Sequence, residues 1–272
     1  MNNFSNINVF TLTRFDLKNN GKLILVWSIA TFAITFLYMI LFSSMQDMAL
    51  AEWDNMPVEV LQFMGVESFR IMADYNGYFG MMYNLLLIVI SIFTTTFSAG
   101  IINKEEKSKS IEFLYSCPVS RVEIYVSKLI TALIGLLIVL SSLIASATIC
   151  GFLNGGDTFI LSDFFQIALI SGFIAVFYMG VALFIGGLTG KLPVSMISAM
   201  VVVFTYLIGY LGELLKDKGE FLLYLSPFQI FSPTNALELR GGTITNLIIY
   251  GIILLGLIAI GCAVYRKRDF KI

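Results

Sequence analysis

Apolar residues in this chain fall into long blocks rather than into the short alternating or helical periods of a soluble fold. Six blocks stand out, at about 23–42, 77–102, 129–153, 164–190, 192–211 and 244–264. Crossing about 30 Å of hydrocarbon takes a helix of about 20 mostly apolar residues, and each block meets that length. Backbone polar groups cannot stay unpaired in lipid, so blocks of this kind read as helices and not as loops. The predicted architecture is an all-α membrane protein of six transmembrane helices. It divides into a polar segment 1–22, a transmembrane domain 23–264 and a tail 265–272. The first block is too long for the apolar region of a signal peptide, and no small-residue cleavage site follows Phe42, so it reads as a retained span. Only Gly190, Lys191 and Leu192 separate the fourth block from the fifth, which predicts a tight hairpin. Pro193 then falls in a first helical turn, where its missing N–H is harmless.

Composition agrees. Of 272 residues, 58% are hydrophobic and 13% charged, and the mean hydropathy is +0.87. Soluble domains carry about a quarter charged residues. The net charge of −1 is uninformative, but the placement of the charges is not. With the N-terminus inside, 13 of the 17 Lys and Arg residues face the cytoplasm, leaving Arg70, Lys216, Lys218 and Arg240 outside. Twelve of the 18 acidic residues fall on the other side. The Lys/Arg excess near span ends sets orientation, so both termini are assigned to the cytoplasm and the chain to a bacterial cell membrane. Cys150 then lies toward the exterior and Cys117 and Cys262 toward the cytoplasm, too far apart to bridge.

Absences narrow the function. The chain has no histidine, and no block carries Asp, Glu, Lys or Arg in its middle. Ion-coupled carriers place ionisable groups at mid-depth, so energy for transport would come from another chain. The run from Gly186 to Lys191 lacks phosphate-loop spacing and has Leu192 where Ser or Thr would hold Mg²⁺. Gly186 and Gly190 instead form a small-xxx-small pair suited to close helix packing. Three scattered cysteines without histidine make no zinc cluster and no nucleophile pair. The chain is expected to contain no catalytic residue, cofactor site or metal site, and to have no nucleic-acid partner.

The longest cytoplasmic connection, 103–128, is the most informative segment. Its charged start extends the second helix, with Glu105 and Lys109 spaced for an i,i+4 pair. Ile111, Leu114 and Tyr115 share one face of a short helix. Pro118 breaks it, and Ser120 with Glu123 forms a capping box that restarts a helix into the third span. Apolar residues at 111–115 need a surface, either the membrane or a docking partner.

The stretch KEEKSKSIEFLYSCPVSRVEIYVSKLI (Lys104–Ile130) resembles the corresponding loop of type 2 ABC exporter permeases. The external LSPFQIFSPTNAL (Leu225–Leu237), the C-terminal YRKRDFKI (Tyr265–Ile272), the span count and the polar first segment are also similar to that family. The resemblance implies two permease subunits, identical or related, and two cytoplasmic ATPase subunits that bind ATP and Mg²⁺. It implies that Ser110, Ile111, Glu112, Phe113, Leu114, Tyr115 and Ser116 form a coupling helix entering a cleft on the ATPase, flanked by Glu105, Arg121 and Glu123. It also implies an amphipathic helix over about 8–22, although Val9, Phe10, Leu12, Phe15 and Leu17 spread around a helical wheel. Residues 213–243 hold Pro227 and Pro233 and are either short helices dipping back as an exit gate or an ordinary structured loop. Spans rich in Phe, Leu, Ile and Met suggest an amphipathic peptide or hydrophobic drug as cargo. Sodium or polysaccharide export, or a scaffold that only docks a partner, are the alternatives.

Overall fold

The computed structural model describes residues 8–51, 73–107, 119–189, 193–215, 219–238 and 242–268. Among these residues there is no strand, and six helices are long and apolar enough to cross a membrane: α1 (Val9–Ile40), α3 (Tyr75–Ile102), α5 (Arg121–Asn154), α6 (Leu161–Leu188), α7 (Val194–Leu215) and α11 (Thr243–Lys267). The chain is an all-α, six-span membrane protein. Shorter helices fill the connections: α2 (Phe42–Ala51), α4 (Lys104–Lys107), α8 (Glu220–Leu223), α9 (Pro227–Ile230) and α10 (Pro233–Glu238).

Several helices exceed the bilayer. At about 1.5 Å per residue, the 32 residues of α1 extend about 48 Å and the 34 of α5 about 51 Å. Residues 8–22 are not a helix set apart from the first span: Val9 to Ile40 is one helix, capped by Asn8, whose Oδ1 accepts the Thr11 N–H at 3.0 Å. It stays intact because no proline or buried glycine interrupts it and because its inward residues have a partner helix. Thr13, Asp16, Ile24, Thr31, Thr35 and Met39 are all buried.

That partner is α5, which runs parallel to α1 in a fixed register. Ser142, Ser146, Cys150 and Asn154 reach the carbonyl oxygens of Ser28, Phe32, Phe36 and Ile40 at 3.0, 2.9, 3.9 and 3.3 Å. Each pair is separated by 114 residues, so one small polar side chain per turn of α5 meets one turn of α1. In hydrocarbon such bonds hold helices in register with contributions of roughly 0.6 kcal/mol apiece. Helix α3 occupies the centre, packed on α6, α7 and α5, and most of its residues are buried. Helix α11 closes the outside of α6.

Helices α6 and α11 approach each other backbone to backbone. A Cβ built on Gly187 would stand 2.7 Å from the carbonyl oxygen of Gly261 and 3.2–3.3 Å from its carbonyl and α carbons. Gly187→Ala is therefore expected to part the two helices and to destabilise the protein by about 1–3 kcal/mol, as overpacking does. A thermal melt of the detergent-solubilised protein checks this, with Gly256→Ala as control because nothing lies within 4 Å of its Cβ position. Gly186, one residue earlier, faces α3: its Cβ position is 2.3 Å from Ile102 Cγ2. Gly190 lies outside the described residues.

At the opposite end of the bundle α8, α9 and α10 turn back into it. Pro227 opens α9, where its missing N–H is no loss. The Phe228 ring stacks on Tyr178 at 5.5 Å, and Phe231 packs edge-on against Phe173 and Tyr250. Tyr178 lies about 25 Å along α6 from its start, so this hairpin packs more than halfway along α6. Polar ties hold it there: Gln166 donates to the Ala236 carbonyl at 2.7 Å, and Tyr250 to that of Tyr224 at 2.7 Å.

Candidate functional site

The Lys/Arg-rich end of the bundle gathers the starts of α1 and α5 with the ends of α3, α6 and α11. Helix α3 stops at Asn103, whose backbone leaves helical geometry (φ −106°, ψ 11°). Asn103 is buried, and its side-chain amide finds no hydrogen-bond partner among the described residues. The chain then restarts as α4. The charged stretch is thus a broken continuation of the second span, and the break sends Glu105 and Glu106 to different partners.

Glu105 turns toward α5 and pairs with the ammonium of Lys128, which also lies 2.9 Å from Asp16 Oδ2 on α1. Lys128 and Asp16 are almost fully buried, with side chains 4% and 3% exposed. Three elements thus meet on one cation. The i,i+4 partner expected for Glu105, Lys109, lies outside the described residues. Thr13 adds a bond from α1 to the Ser127 carbonyl at 3.4 Å.

Glu106 turns the other way, to the guanidinium of Arg268 just beyond α11. The same guanidinium donates from Nη1 to the Gly186 carbonyl at 3.1 Å, near the end of α6. A cation here also complements the negative end of that helix. Arg121, the first residue of α5, donates from Nη1 to the carbonyls of Arg268 at 2.6 Å and Arg266 at 3.2 Å. The C-terminal turn therefore grips the chain on both sides of 108–118.

The start of α5 carries its capping box intact. Glu123 N–H donates to Ser120 Oγ at 3.2 Å, and Ser120 N–H donates to Glu123 Oε2 at 2.7 Å. The backbone N–H of Ser120 holds the Glu123 carboxyl below its ordinary range. A carboxylate lowered in the folded state contributes fully above its unfolded pKa and loses that contribution only as pH falls through the lowered value, so this cap is complete at neutral pH.

Of the residues singled out in the sequence, Glu105, Arg121, Glu123 and Gly186 come together at this end. Ser110, Ile111, Glu112, Phe113, Leu114, Tyr115 and Ser116 lie outside the described residues. The structure adds Asp16, Glu106, Lys128 and Arg268. Two of these have a sequence signal: Asp16 is the only acid in residues 1–22, and Lys128 is the last charge before the third apolar block.

Residues 15–266 match the family of the multidrug efflux system permease Rv1217c, C-terminal domain. The chain belongs to this family. It is a transport permease that crosses the membrane several times. No curated protein matches it. The matched region takes in all six spans together with Asp16, Glu105, Glu106, Arg121 and Lys128, and stops two residues short of Arg268.

Proposed function

We propose that this permease is the membrane subunit of an ATP-driven exporter of the type 2 ABC kind. Two permease chains pair, and each docks on a cytoplasmic ATPase that binds ATP and Mg²⁺. Residues 110–116 form the coupling helix. The observation that carries this reading is the anchoring of both flanks of that segment. Glu105 and Glu106 on one side and Arg121 on the other are tied to α1, α5, α6 and the end of α11. A solvated loop that served only to fix topology has no need of ion pairs before it and an arginine held by two carbonyls after it. A loop that receives force does, since its displacement must move helices and not merely bend the loop. When ATP draws the ATPase subunits together, the push on 110–116 passes through these ties and moves the spans as bodies.

The cargo is an amphipathic peptide or a hydrophobic drug. The apolar spans without mid-depth charge support this, as does the multidrug efflux permease for which the family is named. Leu114→Glu with Tyr115→Glu is expected to abolish both transport and co-purification of the ATPase, because two carboxylates cannot enter an apolar cleft without partners. Retention of the complex and its activity in this variant would remove the docking assignment. For the cargo, a deletion strain is expected to become sensitive to peptides or drugs in a panel. Sensitivity to sodium alone would exclude that cargo class.

A further inference from the structure

We propose that the outward face of α1 binds anionic phospholipid headgroups in the leaflet on the Lys/Arg-rich side. Arg14, Lys18 and Lys22 are all exposed and spaced four residues apart, so they share an arc of about 80° on the helix. Leu25, Val26 and Ile29 continue the same side of α1 into the membrane and are at least 57% exposed. The buried residues Thr13, Asp16 and Ile24 occupy the other side, against α5. The three cations therefore stand directly above lipid-facing residues and not above a protein seam.

Depth agrees with this placement. Leu23 to Ile40 spans about 27 Å, close to the hydrocarbon thickness, which puts Lys22 at its edge. Lys18 and Arg14 follow about 6 and 12 Å further out, within or just beyond a headgroup layer about 5–8 Å thick, and their long side chains can reach back toward it. Phe15, 62% exposed, stands beside the cations on the outward face. Among the described residues no carboxylate is paired with Arg14, Lys18 or Lys22. Asp16, the only acid on this part of α1, is turned inward onto Lys128 and leaves no carboxylate on the outward side. Phosphate diesters of phosphatidylglycerol fit such a row, and about fivefold in affinity per cation is the expected contribution.

Native mass spectrometry of the purified permease, with whatever chain co-purifies, tests this by titration with phosphatidylglycerol against phosphatidylcholine. The wild type should retain phosphatidylglycerol selectively. Lys18→Gln alone should weaken that retention about fivefold, and Arg14→Gln/Lys18→Gln/Lys22→Gln should abolish the selectivity. Arg14→Lys/Lys18→Arg/Lys22→Arg, which keeps the charges and hence the orientation in the membrane, should retain it. Arg266→Gln/Lys267→Gln, which removes exposed cations at the same end of the bundle, should leave it unchanged. Unaltered retention in Lys18→Gln and in the triple Gln variant overturns the proposal. So does an equal loss in Arg266→Gln/Lys267→Gln, which would mean a diffuse field of the whole face. Loss of the co-purifying chain with lipid retention intact also overturns it and assigns the row to a protein contact.

Discussion

Lys128→Met is expected to be the most damaging single substitution at the Lys/Arg-rich end, destabilising the folded protein by about 3–5 kcal/mol, the scale found when one partner of a buried ion pair is removed. The ammonium is shared by Asp16 and Glu105, and methionine would leave two carboxylates facing each other with little access to water. Asp16→Asn should be milder, because Lys128 keeps Glu105. The informative variant is the triple Lys128→Met/Asp16→Asn/Glu105→Gln. Removing all three charges takes away the desolvation burden along with the attraction, so stability should return close to wild type. The damage in Lys128→Met would then be traceable to stranded charge and not to lost volume. Melting of each variant in detergent, with membrane yield beside it, gives the comparison. Coupling between positions 16 and 128 should appear as clear non-additivity, since the residues share one interaction. A Lys128→Met protein that melts with the wild type would mean that the three charges do not hold α1, α4 and α5 together.

What the sequence made legible, and what it did not, follows the range of the interactions. The six spans were readable because crossing a membrane is a property of each stretch by itself. The Ser120–Glu123 box was readable because its partners are three residues apart, and both of its hydrogen bonds are present. The pairing of Lys128 with Asp16 joins residues 112 positions apart, and no local pattern marks which acid an isolated lysine will find. Glu105 is the instructive case. The break at Asn103 turns it toward α5, where it meets Lys128, a partner no spacing rule indicates; Lys109, its i,i+4 neighbour, lies outside the described residues. The Ser142–Ser146–Cys150–Asn154 row stands in plain view at four-residue spacing, but small polar residues in a span have meaning only once the facing helix is known. Continuity of α1 was hidden for a related reason. Polar residues before Lys22 suggested a boundary, whereas burial of Asp16 and Thr13 against α5 carries one helix through it. The glycines divide the same way: spacing drew attention to Gly186 with Gly190, and the backbone-to-backbone contact is Gly187 with Gly261, on helices far apart in the chain.

Arg268→Gln is expected to separate energy use from transport. Arg268 touches Glu106 before segment 108–118, Arg121 after it, and the end of α6, through its guanidinium and its carbonyl. Its side chain is 9% exposed, and glutamine keeps an amide donor for the Gly186 carbonyl, so the fold should survive while the charged tie to Glu106 is lost. Hydrogen bonds to charged groups contribute about 1.5–3 kcal/mol, which corresponds to a ten- to hundredfold fall in the population of the anchored arrangement. If that arrangement carries the push from the ATPase, efflux in proteoliposomes should fall by at least tenfold while ATP hydrolysis by the bound partner continues near its wild-type rate. Arg268→Lys should recover only part of the loss, because a point charge can hold Glu106 but not the Gly186 carbonyl in the same fork. Hydrogen exchange should rise at 104–107 and 119–123 in the glutamine variant, which reports the released flanks without reference to activity. A parallel fall of efflux and hydrolysis would point to lost docking and not to lost transmission. Unchanged efflux with released flanks would show that the tail is a structural tie only, and that force reaches the spans through Lys128 alone.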